Sequence, residues 1–171
     1  MKNIKFLLVV LSLMFAFSNV NFAQNATLTA LDGGSVSLGA QKGKVVVLAI
    51  GATWLPLSKN QAIVVNKLSK KYLGKDVVIY FVATDSTVAK SKNFASNEAV
   101  QSFAANNKMT ATVLRDSDGA ATLKKYNVDQ IPAFVVLGKD GKMIGEAFGG
   151  VTPNGETELA NQISQAIDKL L

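Results

Sequence analysis

Three apolar runs limit what this chain can fold into. Residues 45–50, 77–83 and 133–137 are valine-rich, of strand length, and contain no charged side chain. Such runs predict strands buried on both faces of a sheet. Between the first two, Ala62, Val65, Leu68 and Tyr72 recur at helical spacing, which predicts a helix over residues 58–72. Gly74 reads as the cap that ends it.

The remaining segments fit around that centre. Residues 25–31 alternate like a strand, Asp32-Gly33-Gly34 is a turn signal, and residues 36–38 return as the second arm of a hairpin. Residues 84–95 read as a polar loop. Ser96 is placed to cap a helix that Asn106 and Asn107 close. A short strand over 112–115, a turn at Asp116 to Gly119 and a short helix ending at Tyr126 precede Ile131-Pro132. After the run 133–137, a hairpin turn at 139–142 leads to a strand over 143–148, and a last helix spans about 155–171. Helices alternating with strands and a closing hairpin predict an α/β domain: a mixed central sheet with helices on both faces.

The first residues read differently. Lys2 and Lys5 precede a largely apolar run over residues 6–17, followed by small and polar residues up to Ala23. That is the layout of a signal peptide over residues 1–23, leaving a domain over 24–171. The run is shorter than the roughly 20 residues a membrane-spanning helix needs. Export to a bacterial periplasm or the outside is therefore expected, with no stable membrane span after cleavage. The formal charge of +6 falls to +4 without Lys2 and Lys5, and the lysines are scattered. A single arginine, Arg115, gives no nucleic-acid signature. With no cysteine and no histidine, the chain offers neither a disulfide nor a usual transition-metal ligand set. No cofactor is implied. Asp116-Ser117-Asp118-Gly119 lacks the downstream glutamate of a calcium loop and reads as a turn.

The motifs come in an order that resembles the thioredoxin fold, and within it the exported TlpA/ResA-like thiol-disulfide oxidoreductases, related to the AhpC/TSA redoxins. Leu31-Asp32-Gly33-Gly34-Ser35-Val36-Ser37-Leu38 and Lys42-Gly43-Lys44-Val45-Val46-Val47-Leu48 resemble that family's N-terminal β-hairpin and first central strand. Gly51-Ala52-Thr53-Trp54 resembles the lead-in to its Trp-Cys-Pro-Pro-Cys site. Ile131-Pro132 resembles its cis-proline loop, and Gly138-Lys139-Asp140-Gly141-Lys142 the turn that follows. The resemblance implies a thioredoxin-like domain and thiol–disulfide chemistry.

The residues depart from that chemistry. Leu55 and Ser58 stand where the resemblance expects the two thiols, and Gln61 where it often has a glutamate. Thioredoxins proper place a buried aspartate where this chain has Ala49. Leucine cannot ionise, and a serine hydroxyl with no neighbouring base is a poor nucleophile. Catalysis by the chain's own side chains is therefore not expected. The leading expectation is a binding domain that uses Trp54, Leu55, Pro56, Ile131 and Pro132 to hold an extended peptide, a protein partner or a small apolar ligand. An oxidoreductase working with thiols from a partner or substrate is the alternative, and a structural remnant with no ligand is a third.

Overall fold

Val45–Gly51 (β3) is buried along its whole length, so it takes a central place in the sheet. The computed structural model describes residues 26–171; the leader expected over residues 1–23 lies outside the described residues. In chain order the other elements are β1 (Thr27–Ala30), β2 (Ser35–Ser37), a 3-10 turn (Leu38–Gln41), α1 (Ser58–Lys71) and β4 (Val77–Ala83). Then follow α2 (Asn97–Asn106), β5 (Thr112–Arg115), a 3-10 turn (Ser117–Gly119), β6 (Ala133–Leu137) and α3 (Glu156–Asp168).

The sheet runs β2-β1-β5-β4-β3-β6. β3 lies parallel to β4, and β4 to β5. The connections between these parallel neighbours carry α1 and α2, because a parallel pair needs a crossover. β6 returns antiparallel on the other side of β3, pairing Ile50 with Ala133 and Val46 with Leu137. β1 and β2 form the expected hairpin, with Leu28 opposite Val36.

Alternation along the strands divides the core in two. Val45, Val47, Ala49, Phe81, Phe134 and Val136 face all three α-helices. Val46, Leu48, Ile50, Val82, Val135 and Leu137 face the other way, under Leu38 of the first 3-10 turn and Tyr126 and Val128. All three α-helices thus cover one face, and a 3-10 turn with the turns around Tyr126 covers the other. α1 and α3 are joined at both ends. Asn60 donates to Glu156 near their N-termini. Near their C-termini the Tyr72 hydroxyl donates to the Ser164 carbonyl at 3.1 Å and to Asp168 at 2.7 Å, and Lys71 pairs with Asp168 at 2.9 Å.

Two expected elements are not formed. The helix ending at Tyr126 is a series of turns with isolated bonds from Leu123 N–H to the Gly119 carbonyl and from Tyr126 N–H to the Thr122 carbonyl, bounded by positive φ at Asp118, Gly119 and Asn127. The strand over 143–148 is reduced to isolated bridges, Leu137 with Met143 and Phe134 with Phe148. Gly145, at φ +65°, bends the segment away between them. In the loop over 84–95, Ser86 and Phe94 form a bridge of their own.

Replacing Tyr72 with Phe removes both hydroxyl bonds without opening a cavity. It should cost about 1 kcal/mol and lower the melting midpoint by about 2–4 °C. The Tyr72 hydroxyl and then Lys71 hold the Asp168 carboxyl below its ordinary range. A depressed carboxylate pKa adds stability above the unfolded value and loses it as the pH falls through the folded one. The deficit of the Phe variant, followed by thermal unfolding, should therefore shrink below about pH 4.

Candidate functional site

The surface in question sits at one end of the sheet, where β3 stops and β6 starts. Beyond Gly51 the chain turns twice, Leu55 N–H donating to the Ala52 carbonyl at 3.2 Å and Ser58 N–H to the Leu55 carbonyl at 3.1 Å. Leu55 and Ser58, the two replaced thiol positions, are thus one hydrogen-bonded turn apart. Trp54 lies outside with 56% of its surface exposed, Pro56 is exposed, and Leu55 and Leu57 are half-buried. Leu57 packs on the helix-side core. Ser58 is wholly buried, and its hydroxyl has no hydrogen-bond partner among the described residues.

Gln61, one turn into α1, is also wholly buried. Its side-chain Nε2 donates to the Ile50 carbonyl at 3.1 Å and to the Ala133 carbonyl at 3.0 Å. One amide therefore fastens the end of β3 to the start of β6, directly behind Pro132. Gly51 makes room for it: a Cβ there would lie 2.2 Å from Gln61 Oε1. The amide is not interchangeable with the glutamate expected from the resemblance. A carboxylate cannot donate, and would set its charge against two carbonyl oxygens in a dry site.

The turn is held from its other side by a residue that sequence reasoning missed. Asp85, wholly buried just beyond β4, accepts from the Thr53 N–H at 3.0 Å and the Thr53 hydroxyl at 2.6 Å. Ala49 suggests that the site holds no acid; Asp85 supplies a buried carboxylate from another element. The loop carrying it is fixed by Arg115, 4% exposed, whose guanidinium donates to the Ala95 carbonyl at 2.8 Å and the Asp85 carbonyl at 3.0 Å. Asp116 beside it accepts from Ala121 N–H, Thr122 N–H and the Thr122 hydroxyl, so it organises the next turn. A buried, chemically costly polar residue straight after an apolar strand was the only signal for Asp85.

Directly before β6, the Ile131–Pro132 peptide is cis. Pro132 is buried and Ile131 half-buried against the second core. Among the described residues, no hydrogen bond engages the backbone N–H or C=O of Asp129, Gln130 or Ile131. The structure thus brings Trp54 and Ile131 to one end of the sheet, with Ser58 and Gln61 beneath the surface. Among the described residues no cluster of His, Cys, Asp and Glu has metal-binding geometry.

The Redoxin family model matches residues 18–163. The chain belongs to the Redoxin family. This redoxin is 30% identical over 142 residues to a thiol-disulfide oxidoreductase ResA of Bacillus thuringiensis, covering 83% of this chain and 76% of the relative. Among solved structures it is similar to a putative thiol-disulfide oxidoreductase from Bacteroides vulgatus, with 26% identity, a TM-score of 0.62 and coverage of 85% and 91%. A secreted disulfide oxidoreductase of Mycobacterium tuberculosis gives 25% identity, a TM-score of 0.62 and coverage of 81% and 94%. Against those relatives, this redoxin keeps a thioredoxin-like fold with no cysteine anywhere in its sequence.

Two substitutions test how the turn is held. Gln61→Glu should lower stability by about 3 kcal/mol near neutral pH, from lost donors and a buried charge. Burial raises the folded pKa of such a carboxyl. The variant's deficit should thus be smallest below the unfolded value of about 4.3 and grow as the pH rises above it. Asp85→Ala should cost about 2 kcal/mol and alter the fluorescence of Trp54, the chain's single tryptophan.

Proposed function

We propose that this redoxin is an exported binding domain that carries out no thiol turnover of its own and holds an extended peptide between Trp54–Pro56 and Ile131–Pro132. The observation that supports it best is the unbonded backbone of residues 129–131 at the end of the sheet where β3 also leads into an exposed tryptophan. A peptide pairing there gains main-chain hydrogen bonds, as in strand addition, and the tryptophan offers apolar area. None of this requires sulfur. The reactive positions, by contrast, hold a leucine and a buried serine with no histidine in the chain to activate it. The leader-like N-terminus and the secreted relative support export.

Insulin reduction and peroxide reduction should both stay at the buffer rate, and turnover proportional to protein concentration would sink the proposal. Extended, unfolded peptides should quench or shift Trp54 fluorescence saturably. Trp54→Ala should weaken their binding, read by calorimetry, by about ten-fold or more. Leu55→Cys with Ser58→Cys should yield a disulfide detectable by mass, because the two positions share one turn. Reductase activity of that variant should remain weak, since no acid–base group replaces Gln61.

A further inference from the structure

Beside the free backbone of residues 129–131 lies a cavity of about 410 Å³, lined by Tyr126, Asn127, Asp129, Met143, Glu146 and the Gly145 backbone among others. Three features of this cavity point to one kind of occupant. Asp129 and Glu146 are exposed carboxylates, and neither makes an ion pair among the described residues, where the pairs are Lys71–Asp168 and Lys142–Asp140. Tyr126 is 7% exposed, lines the cavity, and its hydroxyl has no hydrogen bond among the described residues. Met143 and Ala147 supply an apolar wall.

The volume is far larger than a bare ion needs, and two carboxylates are too few to coordinate a metal without further ligands. A lysine or arginine side chain matches it better, with an apolar stem for Met143 and Ala147 and a cationic head for the carboxylates. Lys125 lies over the Tyr126 ring at 5.4 Å from its centre, yet it is not among the cavity's lining residues. Burial raises the Tyr126 pKa, so the hydroxyl stays neutral and able to accept from an ammonium. Asp129 is two residues from Ile131, a backbone span of at most about 7 Å. A peptide paired along 129–131 therefore passes the mouth of the cavity.

We infer that this cavity is a specificity pocket for a lysine or arginine side chain of the extended peptide held at Ile131. The inference rests on the groove reading above and names the class of peptide that the groove prefers.

The test uses the full chain and two probes. N-acetyl-lysine methylamide should perturb the Tyr126 ring resonances in NMR titrations, while the norleucine analogue should not. The Asp129→Asn/Glu146→Gln variant should abolish the response, and both replaced side chains are exposed, so the fold is spared. Matched peptides differing only by lysine or norleucine should then differ about ten-fold in Kd. That ratio should fall to about one in the double variant and in high salt. Equal responses to lysine and norleucine, or an unchanged ratio in the double variant, overturn the pocket and leave the groove standing. If the lysine probe reaches Tyr126 but no peptide binds, the groove fails. The cavity is then a site for free cations, and the inference falls with the groove.

Discussion

Everything at this end of the molecule depends on one buried amide. Gln61 reaches from the first turn of α1 to the carbonyls of Ile50 and Ala133, which pair across β3 and β6. It sets the separation of the Trp54 turn from the Ile131 loop with a neutral group. A neutral donor suits this place because two inward-facing carbonyls in a dry site would otherwise be left unsatisfied or set against a charge. Gly51 is the counterpart: only a residue without a Cβ leaves space for that side chain.

Asp85 does for the outer side of the turn what Gln61 does for the inner side. Its carboxylate gathers the N–H and hydroxyl of Thr53, and Arg115 anchors the backbone that carries it. The turn that resembles the Trp-Cys-Pro-Pro-Cys site is here a braced surface. The braces are an amide, a carboxylate and a guanidinium, and each is out of water. Gln61 Nε2, the Asp85 carboxylate and the terminal nitrogens of Arg115 are bonded, while Gln61 Oε1 and Arg115 Nε have no partner among the described residues, so these groups specify geometry more than they add stability.

The parts of this arrangement legible in the sequence were those set by local pattern or by burial on both faces. The runs at 77–83 and 133–137 coincide with β4 and β6, because a strand buried on both faces leaves an uninterrupted apolar record. Ser96 does cap α2, accepting from Ala99 N–H, since an N-cap depends on three neighbouring residues. The bonds that define the candidate site span 32 residues from Thr53 to Asp85 and 72 from Gln61 to Ala133, so no local spacing encodes them. The segment 143–148 had the composition of a strand, and one glycine at positive φ decided otherwise.

The short reach of free backbone beside Ile131 carries a kinetic consequence. β6 is flanked on its outer side by the bridged segment through Met143 and Phe148, so an incoming chain finds no full edge to extend. It meets three residues of open main chain, each bond worth about 1 kcal/mol net. Contacts so few set a fast dissociation rate and leave affinity to the side chains. If the proposed groove is used, such a domain would sample many chains briefly and retain those whose side chains suit the neighbouring surface.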